Sequence, residues 1–244
     1  MENVNDITIG LVGYQGKMGQ EILNILKQKN IKVNTEGGEI GGDKTNIFKN
    51  SNVVIDFTNT NGLQECLNYV EKYKTPFVSG STAMTDEIMQ KILELSKNTK
   101  ICWSANMSIG VAITKKLSSM LGGLLKDYDC EILEKHHNQK KDCPSGTAIM
   151  LGQSIAEGRN VNFDDCKVFN RNGIRHKGDI GFSSIRGGNI FGEHDVMFIG
   201  ENDEITISHK AYNRKLFAIG AVECALKLLE KKENVFYKVE DLIF

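Results

Sequence analysis

The sequence predicts an α/β protein in two parts: a doubly wound parallel sheet, then an α+β part on a mainly antiparallel or mixed sheet. Three observations predict it. The first 107 residues alternate short β-branched runs with longer amphipathic segments, as expected of a parallel sheet with helices on both faces. A glycine-punctuated turn, Gly13 to Gly19, joins the first apolar run to the first amphipathic one. After about Ile109 the texture changes, and from Gly178 to His209 apolar and polar residues alternate with period two between glycine-rich turns.

The elements follow in order. Ile7 to Val12 reads as a strand, and apolar positions at helical spacing from Glu21 to Lys27 read as the helix after the turn. Ile31 to Thr35 reads as a second strand. Val53 to Phe57 is an almost continuous apolar run, typical of a central strand covered on both sides. Leu63 to Tyr73 and Thr85 to Ser96 read as helices, Pro76 to Ser79 and Lys100 to Ser104 as strands. Then come a helix from Val111 to Leu125, a strand around Tyr128 to Glu134, a polar, basic loop through Asp142 and a helix from Ser145 to Glu157. Asp195 to Ile199 and Glu204 to Ser208 alternate as strands, and Leu216 to Glu230 is again an amphipathic helix. The expected division is a dinucleotide-binding domain over 1–107, to which the C-terminal segment 214–244 returns, and a second domain over 108–213. The first is therefore Rossmann-like.

With 244 residues, 40% hydrophobic and 25% charged, the chain can bury a substantial core, which excludes a disordered or fibrous class. Thirty Lys plus Arg against 31 Asp plus Glu give a net charge of -1, so no global field gathers nucleic acid or anionic membrane, and neither is expected as a partner. No apolar stretch approaches the roughly 20 residues of a membrane span. The opening MENVNDITIG lacks a basic region before an apolar segment, so a cytoplasmic location is expected. Six cysteines without a CxxC pair fit free thiols in a reducing compartment.

The first chemical motif is Gly13-Tyr14-Gln15-Gly16-Lys17-Met18-Gly19. At a strand-to-helix junction, glycines let main chain approach a pyrophosphate while the helix N-terminus faces the anion. The spacing is GxxGxxG, because position 15 is Gln. A dinucleotide site also wants an acid near the end of the second strand to accept from the adenosine ribose hydroxyls. Glu36, 23 residues beyond Gly13, is the first candidate and Glu39 the second. No Lys or Arg adjoins either, which favours NADH over NADPH without deciding between them.

The second motif is Glu134-Lys135-His136-His137-Asn138-Gln139-Lys140-Lys141-Asp142-Cys143-Pro144-Ser145-Gly146-Thr147. Two lysines supply positive charge, the N–H groups of Ser145, Gly146 and Thr147 supply directed donors at a helix start, and an imidazole supplies a proton near neutral pH. This is an anion receptor with a titratable group inside it. No metal is expected: adjacent His side chains diverge in extended backbone, and Asp142 or Cys143 is a poor third ligand. No G-x-S-x-G elbow supports a serine nucleophile.

On these residues the chain resembles the 4-hydroxy-tetrahydrodipicolinate reductase (dihydrodipicolinate reductase) family of lysine and diaminopimelate biosynthesis. The resemblance rests on GYQGKMG at 13–19, DFT at 56–58, SGST at 79–82, SANMSIGV at 104–111, EKHHNQKKDCPSGTA at 134–148, and the run from Arg186 through GEHDVMF to Arg214 and FAIGA at 217–221. It implies reduction of a small cyclic dicarboxylate imine by NADH or NADPH in a homotetramer whose second domain binds substrate and oligomerises. It also implies that Gly13, Tyr14, Gln15, Gly16, Lys17 and Met18 bind the dinucleotide and that Gly80, Ser81, Thr82, Ser104, Ala105, Asn106 and Met107 line its nicotinamide side. By the same resemblance His136 is the general acid/base, Lys140 the second catalytic donor, and His137, Lys140, Ser145, Gly146 and Thr147 the substrate carboxylate site. Ser81, Met107 and Cys143 stand where the family usually has Thr, Phe and Ala. Residues 35–49 match least, which leaves the ribose acid open. Two rival functions share the glycine turn: another imine or amino-acid dehydrogenase, and a non-enzymatic NAD(H) sensor, which has no use for His136 and Lys140.

Overall fold

The computed structural model describes residues 6–82 and 84–244. These fall into two compact units, one of residues up to Ile109 together with Arg214–Phe244, the other Gly110–Asn213.

In the first unit the chain runs β1 (Thr8–Val12), α1 (Lys17–Gln28), β2 (Lys32–Asn34), α2 (Thr45–Lys49), β3 (Val53–Asp56), α3 (Thr60–Tyr73), β4 (Phe77–Ser79), α4 (Asp86–Leu95) and β5 (Ile101–Trp103). After leaving for the second unit it comes back as α8 (Lys215–Glu230), β11 (Phe236–Tyr237) and α9 (Val239–Ile243). The six strands are parallel in the order β11-β5-β4-β3-β1-β2. Alternate strand residues Val12, Val54, Phe77 and Ile101 pack with Leu63, Leu67 and Val70 of α3 and Ile88 and Ile92 of α4. Helix α8 packs on α1 and on β3, β4 and β5. Burying both sheet faces explains why Val53, Val54 and Ile55 are all apolar and fully buried. Side-chain caps start two of the helices: Asn59 accepts from the Gly62 N–H and Thr85 from the Ile88 N–H. The strand order reverses at β1, so a crevice opens between the C-terminal ends of β1 and β3, where sheets of this type bind ligands.

The second unit holds α5 (Ile109–Leu124, whose first residue belongs to the other unit), β6 (Asp129–His136), α6 (Gly146–Arg159), α7 (Phe163–Cys166), β7 (Lys167–Val168), β8 (Ile180–Arg186), β9 (Gly192–Ile199) and β10 (Glu204–Ala211). Its sheet, β10-β9-β6-β8-β7, is mixed: β6–β8 and β7–β8 are parallel, β6–β9 and β9–β10 antiparallel. Cys130, Ile132, Val196, Phe198 and Phe182 point to one face and pack with Leu151 and Ile155 of α6. On that face, two residues beyond Ile132, the apolar rows give way to polar ones. The register aligns Glu134 with Ser184 on β8 and His194 on β9, His194 with His209 on β10, and His136 with Arg186.

The short elements α2, α7, β7, β11 and α9 are absent from the sequence-based reading, and β6 runs two residues further than expected, through His136. All six cysteines are free thiols. Among the described residues no helix is long and apolar enough to cross a membrane.

Candidate functional site

In the first unit the glycine turn caps the crevice between β1 and β3. Gly13 adopts φ +79°, and a Cβ there would lie 2.6 Å from the Phe57 carbonyl oxygen. Gly16 is the N-cap of α1 and supplies no side-chain hydrogen bond, so the helix start keeps its directed N–H groups for another acceptor. A Cβ on Gly19 would lie 2.3 Å from the Gly13 carbonyl oxygen and 2.5 Å from the Tyr14 Cα, so only glycine lets α1 close on the turn. The cradle is thus main chain with no side chain to fill it, the shape a pyrophosphate needs. Tyr14 is half-buried and Met18 partly so, whereas Gln15 and Lys17 are exposed. The Gly13 N–H donates to the Gly38 carbonyl at 2.8 Å, which ties the loop after β2 to the turn. Glu36 and Glu39 flank that contact, the first exposed and the second half-buried.

Asp56, unassigned by sequence reasoning, organises the neighbouring strand ends. Fully buried at the end of β3, it accepts from the Thr58 N–H (3.0 Å) and hydroxyl (2.6 Å) and from the hydroxyls of Ser79 (2.8 Å) and Ser81 (2.7 Å). Burial pushes its carboxyl above the usual range against the pull of these bonds. Ser81 is accordingly buried, its hydroxyl on Asp56 and its carbonyl accepting from the Trp103 indole N–H at 2.9 Å. Thr82 is exposed beside it, and a Cβ on Gly80 would strike the Phe57 ring at 2.3 Å. In the next loop the Ser104 hydroxyl donates to the Asn106 carbonyl at 2.8 Å, and Ala105 is exposed. Met107 is buried, and its carbonyl would meet a Cβ on Gly220 of α8 at 1.7 Å. Ser81 and Met107 are thus inside the unit and fix the loops, while Gly80, Thr82, Ser104, Ala105 and Asn106 stand at their surface.

In the second unit the polar rows end at the start of α6. Glu134 is fully buried, accepts four hydrogen bonds and lies within hydrogen-bond distance of His136. Its Oε1 takes the Ser145 N–H (3.1 Å), the Ser184 hydroxyl (2.7 Å) and Arg186 Nη2 (2.6 Å); its Oε2 takes Arg186 Nη1 (2.8 Å) and faces His136 Nδ1 at 2.6 Å. Burial works to raise the Glu134 carboxyl, but Arg186, Ser184 and His136 overcome it and hold the group at about 2. Burial lowers the His136 imidazole from its ordinary value; Glu134 opposes that, and the charges of Lys140 and Arg186 add to it. His194 meets the His136 ring edge-on at 5.3 Å and contacts the Ser145 hydroxyl through Nε2 at 3.0 Å. Burial, with the His136 charge, pushes His194 down to about 4, so it is neutral at physiological pH. Ser145 caps α6 by accepting from the Ala148 N–H at 3.2 Å. Gly146 is exposed and Thr147 half-buried at the helix start. The Lys140 ammonium lies 2.9 Å from Asp142, and the Lys140 N–H donates to the His137 carbonyl, closing the tight turn that carries both residues.

The second unit therefore gathers His136, His137, Lys140, Ser145, Gly146 and Thr147 at one end of its sheet. Sequence reasoning missed Glu134, Ser184, Arg186 and His194. The signal was available in part: Glu134 and His136 are two apart on a strand and so share a face.

The same division appears in comparisons with known proteins. A family model described as dihydrodipicolinate reductase, N-terminus, matches residues 7–107, and one described as dihydrodipicolinate reductase, C-terminus, matches 110–243. The chain belongs to the dihydrodipicolinate reductase family. It is similar to the 4-hydroxy-tetrahydrodipicolinate reductase of Rickettsia rickettsii, 39% identical over 240 residues covering 97% of this chain and 98% of that one. The enzyme of that name from Campylobacter jejuni is 38% identical over 97% of this chain and 99% of its own. Among solved structures, a dipicolinate-bound dihydrodipicolinate reductase from Paenisporosarcina sp. TG-14 shares the fold with a TM-score of 0.75 and 24% identity, over 95% of this chain and 97% of that one.

Proposed function

We propose that the chain reduces 4-hydroxy-tetrahydrodipicolinate, by way of dihydrodipicolinate, to tetrahydrodipicolinate in lysine and diaminopimelate biosynthesis. The observation that carries this reading is the His136 cluster at the α6 N-terminus, in a chain that matches reductases of that name over 97% of its length. Substrate, reduced cofactor and one proton give tetrahydrodipicolinate, oxidised cofactor and water. Gly13 to Met18 would hold a nicotinamide dinucleotide, which when bound would supply the hydride for the C=C–C=N system left by water loss.

The protein's residues do the rest. The N–H groups of Gly146 and Thr147, with His137 and the Ser145 cap, receive a substrate carboxylate at the helix start. Lys140 exchanges its Asp142 partner for substrate, and its charge stabilises electron density moving towards the ring nitrogen. His136, partly desolvated and within reach of solvent, delivers the proton that the enamine requires. Gly80, Ser81, Thr82, Ser104, Ala105, Asn106 and Met107 shape the nicotinamide side, with Asp56 holding the loops that carry the serines.

For the cofactor we infer a preference for NADH. Glu36 is exposed beside the glycine turn, and its carboxylate suits ribose hydroxyls and repels a 2′-phosphate. The cation on the same loop, Lys44, is buried and paired with Glu65 at 2.9 Å. A homotetramer in the cytoplasm completes the reading. Oxidation of each reduced cofactor, measured with the cyclic imine generated in situ and with an acyclic amino-acid imine for comparison, tests it. NADH with the cyclic substrate is the expected winner. Turnover confined to the acyclic imine favours the rival dehydrogenase, and dinucleotide binding without any turnover favours a sensor.

A further inference from the structure

We propose that Glu134 is a positioning residue for this reaction. Together with Arg186 it fixes the neutral His136 imidazole with its hydrogen on Nδ1, so that Nε2 is the nitrogen that gains and releases the proton. The proposal rests on the reading of His136 as proton donor.

An ionised carboxylate is acceptor-only, and Glu134 is surrounded by four unambiguous donations: the Ser145 N–H, the Ser184 hydroxyl and two guanidinium N–H groups in the bidentate geometry that favours a charged pair. The fifth neighbour, His136 Nδ1 at 2.6 Å from Oε2, must therefore carry the hydrogen. A hydrogen on Nδ1 leaves Nε2 as the basic nitrogen of the neutral ring. Nε2 lies towards Gly192 at the start of β9, where a Cβ would come within 3.1 Å of it, so the absence of a side chain keeps that nitrogen open.

Register explains why the chain can build this. Glu134 and His136 occupy one face of β6 at period two, and the parallel neighbour β8 sets Ser184 beside the first and Arg186 beside the second. The imidazole is flanked by charged or titratable groups from its own strand, from two neighbouring strands and from the following loop, where His137 is its chain neighbour. Glu134 lies on its own strand, Arg186 on β8, neutral His194 on β9, and Lys140 in the following loop with Asp142 against it. Asp142 and Cys143 act on Arg186 in turn. Glu134 raises the proton affinity of His136, while Arg186 and Lys140 lower it. Glu134 and Arg186 thus oppose each other at one imidazole.

Ring-nitrogen NMR of the full chain tests the proposal first on the unaltered protein. The neutral His136 ring is expected with hydrogen on Nδ1, and hydrogen on Nε2 would overturn the proposal. Removing Glu134's charge (E134Q) should move the His136 titration midpoint, and the falling limb of kcat/KM, down by about one pH unit, a tenfold change in protonated fraction. Removing the competing cation (R186M) should move both up. Shifts in the same direction, or none, count against the assignment, since a purely structural role lowers activity without moving the midpoint in opposite senses. If either variant is too unstable to study, the ring-nitrogen state of the unaltered protein still decides. Turnover of His136→Ala judges the proton-donor reading separately, because the ring-nitrogen measurement needs no activity.

Discussion

At the residue scale, the second unit pairs a partly buried imidazole with an exposed helix start, and each piece has a separable consequence. On the proposed reading, His136→Ala removes the proton donor but leaves the glycine cradle in the other unit intact. We expect kcat to fall by about two orders of magnitude while nucleotide affinity hardly changes. Steady-state kinetics beside dinucleotide titration checks this, and unchanged turnover would remove His136 from its role. Lys140→Ala differs in kind, because an ammonium that receives a carboxylate acts on binding as well as on rate. Its KM for the cyclic substrate should rise about tenfold or more while kcat drops, consistent with loss of a charge-assisted contact of about 1.5–3 kcal/mol. An unaltered KM and kcat would contradict it. Both residues were identifiable as candidates in the sequence because His-His, Lys-Lys and Ser-Gly-Thr fall within a dozen positions. Glu134 and Arg186 were not, because they are 52 residues apart in the chain and their meeting depends on the parallel register of β6 and β8.

At the element scale, the proposed reading divides the glycine turn into positions that serve packing and positions that serve a ligand. A Cβ on Gly19 meets main chain at 2.3 and 2.5 Å, which no rotamer change relieves, whereas a Cβ on Gly16 meets the Gly13 carbonyl at an ordinary 3.4 Å. Gly19→Ala should therefore lower the thermal midpoint as well as dinucleotide affinity. Gly16→Ala should keep the midpoint and weaken the dinucleotide about tenfold, by crowding the approach to the pyrophosphate. Melting curves and dinucleotide titrations of the two variants decide; equal effects on both quantities would mean that the turn is selected for packing alone. The long elements were legible because each carries several repeats of its period: α1 buries Ile22, Ile25 and Leu26 on one stripe, and β9 alternates over eight residues. The missed elements span two to five residues, too short to show a period. Two of them, β7 and β11, are strands only by pairing with β8 and β5.

At the scale of the whole molecule, the buried polar rows predict how stability responds to acid. His194 is neutral when folded, with a pKa of about 4 against an ordinary 6.5, so its contribution is present above pH 6.5 and lost as pH falls towards 4. Glu134 sits at about 2 against an ordinary 4.5, so its contribution is present above pH 4.5 and lost as pH falls towards 2. Each shift corresponds to a few kcal/mol at most, on the order of 1.4 kcal/mol per unit. Thermal midpoints recorded against pH should therefore decline in two successive windows. His194→Gln should flatten the upper window while sparing the lower, and an unchanged slope between pH 6.5 and 4 would show that His194 is not the group responsible.

In the proposed reaction, hydride comes from a nicotinamide held by the glycine turn and the proton comes from solvent through His136. Isotope transfer tests this most directly. With the reduced cofactor deuterated at its transferring carbon, the cyclic product should carry one deuterium on a ring carbon. With unlabelled cofactor in heavy water, the solvent-derived deuterium should appear at a different ring carbon and form about a hundredfold more slowly in His136→Ala. A cyclic product free of cofactor-derived deuterium, or no product at all from a protein that binds the dinucleotide, would contradict it.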